Sequence, residues 1–265
     1  MGGLFIAIRA LSRASAGHNF FTCKALLEKT ISLNFLAAAS KLSLVRPKNG
    51  LARSENGERK MNYFVFDLDS TLTKEELLPK IAQAAGMQND MAQLTQKALD
   101  GAVPFAQSFR ARFNLLKHLP LPWVLQVANQ VEFTPHLAEF ILANNGKNGC
   151  QCIIATGNVD IWTKPITDKL GCRVFASHAE IENGVLELKT VLDKADVMQT
   201  LLAQTKPGEK IIAVGDSYND IPMFEAADVS VAFGGVNQPV AAVREKAMYF
   251  YSSGKELAAF LASLI

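Results

Sequence analysis

The stretch FDLDSTLT, Phe66–Thr73, directly continues the short apolar run NYFVF, residues 62–66. That run has the length and residue types of a buried strand. Two aspartates, Asp67 and Asp69, stand one residue apart at its carboxyl end, where their charges repel each other unless a cation or a proton relieves them. The stretch therefore predicts a strand that ends in a polar site.

Beyond Met61 the chain alternates between strand-like and helix-like segments. The strand-like runs are NYFVFD (62–67), CQCIIAT (150–156), CRVFAS (172–177), KIIAVGD (210–216) and DVSVAF (228–233). Helical patterns separate most of them, and Asn183-Gly184 between two alternating segments predicts a hairpin. Such alternation is typical of a parallel sheet with helices on both faces, so we predict an α/β fold with a Rossmann-like core.

One segment interrupts this alternation. Residues 75–131 contain no convincing strand, and four helical patterns fill them: KEELLPKIAQAAG, MAQLTQKALDG, PFAQSFRARFNLLKHL and PWVLQVANQV. We interpret this segment as a small helical cap inserted after the first strand. Residues 61–74 and 132–265 then form the Rossmann-like core.

The first 60 residues differ in composition from the rest of the chain. They hold ten Lys and Arg against three Asp and Glu, whereas the other 205 residues hold 17 against 22. They lack a strand–helix rhythm, which fits either an organellar transit peptide or a non-native extension. We place this leader outside the fold and expect a cytoplasmic protein, or a mitochondrial or plastid one if the leader is a transit peptide.

Composition also argues against several partners. The acidic balance after residue 60 gives no support for nucleic-acid binding. The run LFIAIRAL, residues 4–11, is too short to span a bilayer. The four cysteines show no zinc-site spacing, and we expect reduced thiols, with Cys150 and Cys152 on one face of a strand. We expect no nucleic-acid and no membrane partner, and leave a homodimer open.

Polar residues follow the predicted strands at the ends where open parallel sheets bind their ligands. The set comprises Asp67, Asp69, Thr156, Gly157, Asp216, Asn219 and Asp220, with Lys194 at the start of a helix between these elements. If the strands are parallel neighbours, four carboxylates, one hydroxyl and one ammonium group meet at one edge of the sheet.

These groups fit phosphoryl chemistry. Clustered carboxylates need a cation, and oxygen-only ligands suit a hard divalent ion, so we expect Mg²⁺. A lysine and a hydroxyl beside that ion suit an anionic phosphoryl group. One aspartate can attack the phosphorus to form an aspartyl-phosphate, and its neighbour two residues on can protonate the leaving oxygen and later activate water.

The motifs DLDST (67–71), ATG (155–157), Lys194 and GDSYND (215–220) resemble those of the haloacid dehalogenase superfamily of phosphohydrolases, and within it the phosphoserine phosphatase branch. The resemblance covers nearly all of residues 62–265. It implies a phosphomonoesterase that hydrolyses O-phosphoserine in serine biosynthesis. The implied roles are Asp67 as nucleophile, Asp69 as general acid/base, Thr156 on a phosphoryl oxygen, Lys194 as neutralising charge, and Mg²⁺ held by Asp67, the Asp69 carbonyl and Asp216 with Asp220 in support.

The same resemblance assigns the substrate's amino-acid head to the cap. Glu76 and Arg112 match residues that hold its amino and carboxylate groups, and Leu99 and Phe105 match apolar pocket walls. One anion and one cation suit a zwitterion, and arginine binds a carboxylate through two parallel hydrogen bonds. The implied substrate site is completed by Thr156, Gly157, Lys194 and Asn219.

One departure from the family pattern leaves the substrate open. The branch usually has Ser-Gly-Gly after the second strand, whereas this chain has Thr156-Gly157-Asn158. Threonine keeps the hydroxyl, but Asn158 adds a side chain near the substrate. The alternatives are a phosphatase or phosphotransferase of the same superfamily acting on another small phosphorylated metabolite, and a non-enzymatic phospho-accepting signalling domain.

Overall fold

A computed structural model describes residues 60–99 and 103–265 of the chain. Seven strands in this part form one sheet, in the order β4-β3-β2-β1-β5-β6-β7. The strands are β1 (Asn62–Phe66), β2 (Cys150–Val159), β3 (Arg173–Glu182), β4 (Val185–Thr190), β5 (Lys210–Gly215), β6 (Val229–Phe233) and β7 (Tyr249–Tyr251). Every neighbouring pair is parallel except β3 and β4. The predicted α/β sheet is therefore confirmed.

In the described residues, four helices lie between Thr73 and Phe133: α1 (Leu77–Ala84), α2 (Gln88–Leu99), α3 (Phe105–Leu116) and α4 (Leu121–Ala128). We call α1–α4 the helical insertion. Each of its helices coincides with one of the four helical patterns in the sequence. The boundaries that divide the chain into core and cap remain a prediction.

In the part of the chain that the structure describes, six further α-helices accompany the sheet: α5 (Leu137–Asn144), α6 (Asp160–Thr167), α7 (Lys194–Leu202), α8 (Ile221–Ala226), α9 (Ala241–Lys246) and α10 (Gly254–Ala262). Asp193 and Ser253 cap the first turns of α7 and α10, because their side chains accept hydrogen bonds from backbone N–H groups that the helix leaves unpaired.

Two apolar layers sandwich the sheet, and β1 shows why. Phe64 and Phe66 point to one face, where their rings meet Phe140 of α5 at centroid distances of 5.5 and 6.2 Å. Val65 points to the other face and packs in a cluster with Val197 of α7. Successive strand residues alternate between the two faces, so a central strand covered on both sides is apolar throughout. The site residues after β1 thus begin from a rigid, buried position.

The two chain segments that join the insertion to the sheet run side by side. Thr73 and Phe133 form an antiparallel bridge. On either side of it, Lys74 N donates to Glu132 O at 2.9 Å and Thr134 N donates to Leu72 O at 2.8 Å. The insertion therefore leaves and re-enters the sheet region at a single place.

The structure differs from the sequence prediction at two strands. Strand β2 runs on to Val159 instead of ending at Thr156, with a register shift between Thr156 and Val159 against β3. Thr156 and Gly157 consequently lie within the strand, at this irregularity. Strand β7 escaped prediction because three residues, YFY, are too short for a period-2 pattern to stand out.

The predicted hairpin is confirmed between β3 and β4. Asn183 and Gly184 at its tip both have positive φ, 52° and 79°, as the favoured two-residue hairpin turn requires. Within the described ranges, no helix is both long enough and apolar enough to cross a membrane. The predicted leader, and with it the expected location, falls outside the described residues, and the homodimer remains open.

Candidate active site

Asp67 and Asp216 lie side by side because β1 and β5 are parallel neighbours in register. Phe66 pairs with Val214, and the ladder continues one step further, with Asp67 N donating to Val214 O at 2.9 Å. Asp220 follows one turn later. One carboxylate oxygen from each of Asp67, Asp216 and Asp220 lies within 4.8 Å of the others. The structure thus brings three of the four predicted carboxylates together.

Lys194 neutralises part of this cluster from the first turn of α7. Its Nζ lies 2.5 Å from Asp67 Oδ1 and also pairs with Asp220 Oδ1, and the residue is only 3% exposed. Burial by itself lowers the pKa of such an ammonium group, but the two carboxylates outweigh it and raise the pKa of Lys194 above its ordinary value. Lys194 is therefore a buried, permanently charged cation.

Both carboxylate oxygens of Asp220 have protein partners. Its Oδ2 accepts hydrogen bonds from Asp216 N at 3.0 Å, Ser217 N at 2.9 Å and Ser217 Oγ at 3.1 Å, while Lys194 holds Oδ1. Gly215 leaves the room for this arrangement, since a Cβ there would lie 2.3 Å from Asp220 Cγ. These contacts fit Asp220 as a support that fixes the loop and Lys194.

The carboxylates of this cluster outnumber Lys194, so the cluster needs a further cation. Burial raises the pKa of Asp67 to about 7, against the pull of Lys194, and Asp220 and Asp69 add to the rise. Burial followed by repulsion from Asp67 and Asp220 raises the pKa of Asp216 to about 9. One lysine cannot neutralise three carboxylates, and an all-oxygen donor set of this size fits Mg²⁺. Asp67 and Asp216 have the oxygen atoms to hold it.

Asp69 is held at both carboxylate oxygens. Its Oδ1 accepts from Leu77 N, the first residue of α1, at 2.7 Å, and its Oδ2 accepts from Asn158 Nδ2 at 2.5 Å. Burial raises the pKa of Asp69, while these two hydrogen bonds oppose the rise. Asp69 therefore joins the sheet to the helical insertion through its side chain.

The turn between Asp69 and the insertion contains two contacts that the sequence did not reveal. Ser70 has a positive φ of 57°, and Asn237 Nδ2 donates to its Oγ at 2.9 Å. Thr71 Oγ1 donates to Asp216 Oδ1 at 3.2 Å. Thr71 belongs to the DLDST motif and could have been found there. Asn237 lies 167 residues from Ser70, and no sequence pattern connects the two.

Thr156 and Gly157 line the irregular end of β2. Thr156 Oγ1 accepts from Asn158 N at 3.1 Å, which leaves its hydrogen free to donate elsewhere. Ser177 Oγ donates to Gly157 O at 2.6 Å and accepts from Leu192 N at 2.9 Å. Ser177, which sequence reasoning missed, thereby ties the end of β2 to the segment that leads into Lys194.

Glu76 and Arg112 meet on the insertion side of the site. Arg112 Nη1 lies 4.0 Å from Glu76 Oε2, and the two side chains are 12% and 40% exposed, respectively. Burial lowers the pKa of Arg112 and raises the pKa of Glu76, and the charge of Asp69 acts on both. Arg112 Nε is buried and has no hydrogen-bond partner. The predicted pair exists, close to Asp69, with one donor unused.

Phe105 covers the end of β2 from α3. A Cβ at Gly157 would lie 2.4 Å from Phe105 Cζ, so only glycine lets this ring approach the strand. The ring begins an aromatic row through Phe109 and Phe113 to Trp162 of α6, with centroid distances of 5.9, 6.5 and 5.1 Å. This row packs the insertion against the rest of the molecule.

For two predicted substrate residues, no described contact places the side chain in the site. Leu99 is the last residue of α2, and its side chain lies outside the described part of the structure. Asn219 Oδ1 accepts from Ser217 Oγ at 2.5 Å, so the described contact of Asn219 is within its own loop. Both assignments remain predictions.

Comparison with known proteins gives a consistent family. A model of the haloacid dehalogenase-like hydrolases matches residues 61–228. The phosphoserine phosphatase of Methanocaldococcus jannaschii is 32% identical over 184 residues, which is 66% of this chain and 87% of that protein. That of Lactococcus lactis is 32% identical over 176 residues, 64% and 82% of the two chains. A solved structure described as a phospho-aspartyl intermediate analogue of phosphoserine phosphatase has a TM-score of 0.64 at 28% identity and covers 76% of this chain and 99% of that one.

Proposed function

The chain belongs to the haloacid dehalogenase-like hydrolases, and from this premise we propose that it hydrolyses O-phosphoserine to serine and phosphate through an aspartyl-phosphate at Asp67. It is a phosphoric monoester hydrolase, as its curated relatives are. The alternative of a non-enzymatic phospho-accepting domain is therefore wrong. The product serine places the activity in amino-acid biosynthesis.

The Glu76–Arg112 pair is the observation that carries the choice of substrate. Arg112 is desolvated and has an unused Nε donor, while Glu76 supplies a carboxylate 4.0 Å away. A buried donor without a partner is uncommon in proteins and fits a group that awaits a ligand. A substrate head with one carboxylate and one ammonium group satisfies Arg112 and Glu76 together, whereas an uncharged sugar satisfies neither charge.

The strand-end residues fit the first half of the reaction. Lys194 holds Asp67 Oδ1, which orients the carboxylate so that its other oxygen can attack the phosphorus. As the bond from Asp67 to phosphorus forms, the bond from phosphorus to the serine oxygen breaks, and Asp69 gives its proton to that oxygen. Asp67, the Asp69 carbonyl and Asp216 would hold a bound Mg²⁺, which would supply positive charge to the phosphoryl oxygens.

Hydrolysis of the aspartyl-phosphate reverses the role of Asp69. The carboxylate now accepts a proton from water while the water oxygen bonds to phosphorus, and the bond from phosphorus to Asp67 breaks. Thr156 has a hydroxyl hydrogen free to hold a phosphoryl oxygen, because its Oγ1 acts as acceptor toward Asn158 N. Lys194 compensates the charge on Asp67 before and after the reaction.

A second substrate class remains because of Asn158, which lies against Asp69 where the family pattern has glycine. Another small phosphorylated metabolite would then occupy the same site. A panel that contains O-phosphoserine, O-phosphothreonine, glucose 6-phosphate, glycerol 3-phosphate and p-nitrophenyl phosphate separates the two cases. We expect the highest kcat/KM for O-phosphoserine. A preference for a sugar phosphate would refute the substrate and leave the phosphatase chemistry standing.

A further inference from the structure

Asn158 makes contacts that no motif in the sequence accounts for. Its backbone N donates to Thr156 Oγ1 at 3.1 Å, and its side-chain Nδ2 donates to Asp69 Oδ2 at 2.5 Å. The residue is 6% exposed. The NH₂ end of the Asn158 amide is turned toward Asp69, an orientation that suits the ionised form of Asp69 because an ionised carboxylate only accepts hydrogen bonds.

The other end of the same amide is unpaired. Asn158 Oδ1 is buried and has no hydrogen-bond partner. Leaving a carbonyl oxygen buried without a donor costs free energy, so such an atom needs an explanation. While Asp69 is ionised, the amide cannot rotate to satisfy Oδ1 without giving up the hydrogen bond to Asp69.

Asn158 lies at the end of β2 that the insertion covers. The preceding residue, Gly157, is in contact with the Phe105 ring of α3. Asp69, which holds the amide, acts electrostatically on both Glu76 and Arg112. An acceptor on a residue that contacts Asp69, which in turn lies close enough to Glu76 to raise its pKa, is a favourable place for a cationic donor.

We propose that Asn158 is a specificity-determining residue whose Oδ1 accepts a hydrogen bond from the α-ammonium group of the substrate. This inference rests on the proposed function and adds an atom that binds the substrate's amino group. The pair of unused buried atoms matches a zwitterion, since Asn158 Oδ1 takes the ammonium group and Arg112 Nε takes the carboxylate. The Nδ2 contact keeps the acceptor in position by anchoring it to Asp69.

The test compares two substrates that differ only at the amino group: O-phosphoserine and its deaminated analogue, 3-(phosphonooxy)propanoate. The quantity measured is kcat/KM for O-phosphoserine divided by kcat/KM for the analogue. It is determined for the wild type and for Asn158→Gly. Loss of the Asp69 contact affects both substrates and cancels in this ratio. We expect the ratio to fall about 10- to 100-fold in the variant, mainly through a higher KM for O-phosphoserine, because a hydrogen bond to a charged group is lost.

Thr134→Val is the matched control, since Thr134 Oγ1 is also buried and unpaired but lies in the segment that joins the insertion to the sheet. It should leave the ratio unchanged. If Asn158→Gly does not fold, Asn158→Ser provides a second removal of the amide. An equal loss on both substrates, or no loss, would overturn the inference while the proposed function survives. A wild type that does not hydrolyse O-phosphoserine would overturn both.

Discussion

The strand-end cluster and the insertion face of the site differ in how completely their polar atoms are paired. At the strand ends, Lys194 Nζ pairs with two carboxylates, and both carboxylate oxygens of Asp220 have protein partners. On the other side, Arg112 Nε, Ser108 Oγ and Asn158 Oδ1 are buried and unpaired. Three of the four buried, unpaired side-chain atoms in the described residues therefore belong to α3 or to the end of β2.

This difference in pairing indicates different roles for the two sides of the site. A network of paired charged groups is rigid and fixes the direction of a reacting group before any ligand arrives. Buried polar atoms without partners destabilise the folded protein until a ligand supplies the missing hydrogen bonds. We interpret the strand ends as the place of phosphoryl chemistry, independent of the substrate's identity, and the insertion face as the place where the substrate is selected. Variants on the two sides should behave differently.

Removal of the strand-end carboxylate should have the largest effect. We expect Asp67→Asn to lower kcat by at least about 10⁴-fold on every phosphomonoester, because the amide cannot form the aspartyl-phosphate. The variant should stay folded by circular dichroism, since Lys194 keeps Asp220 as a partner. Asp168→Asn, at an exposed pair with Lys164, is the control and should retain activity. Near wild-type turnover of Asp67→Asn would refute the nucleophile.

Metal removal tests the same side without mutation. Chelation should stop hydrolysis of all substrates, and added Mg²⁺ should restore it. Asp216→Ala should raise the Mg²⁺ concentration for half-maximal activity by about 10-fold or more, because one of two proposed carboxylate ligands is lost. Asp196→Ala, at an exposed position on α7, should not change it. Undiminished activity in metal-free buffer would contradict the metal site.

Arg112→Ala should reveal the selectivity of the insertion face. We expect kcat/KM for O-phosphoserine to fall about 10- to 150-fold, the value of one charge-assisted contact. Hydrolysis of p-nitrophenyl phosphate, which has no amino-acid head, should change by less than about threefold. Arg110→Ala, on the exposed side of the same helix, is the matched control. If both substrates lost activity equally, Arg112 would have a structural role and the contrast between the two sides would fail.

The smallest effect is expected from the leader. A chain that begins at Met61 should fold and keep kcat/KM within about twofold, because both sides of the site are formed by residues after 60 and a new amino terminus there would lie near Glu209. Met61 N already donates to Glu209 Oε1 at 3.1 Å, a contact that a charged terminus strengthens. Insoluble protein or a large loss of turnover would mean that residues 1–60 contribute to the fold.

The sequence predicts the strand-end side well because its residues lie in contiguous motifs. Asp67 and Asp69 follow a strand that the apolar run NYFVF identifies, and parallel neighbours must bring Asp216 beside Asp67. The extension of β2 to Val159 could not be predicted, since the register shift depends on how β3 pairs with it. A local pattern cannot report a tertiary pairing.

The insertion side was less predictable for the same physical reason. The resemblance singled out Glu76 and Arg112, but the unpaired Arg112 Nε and the contact of Asn158 with Asp69 emerge only when segments 89 residues apart meet. Ser177 and Asn237 likewise hold the site through contacts that carry no sequence signal. Side-chain pairing across distant segments is where sequence periodicity stops being informative.

The paired segments at Thr73 and Phe133 have a consequence for how this molecule can be rebuilt. Lys74 and Glu132 are joined by a backbone hydrogen bond of 2.9 Å. The four helices between them are therefore attached to the sheet region at one place. The entropy of closing such a loop changes only slowly with its length. We therefore expect that other helices grafted between Lys74 and Glu132 would leave Asp67 in place, since β1 and β5 hold it, and would change which substrates are accepted.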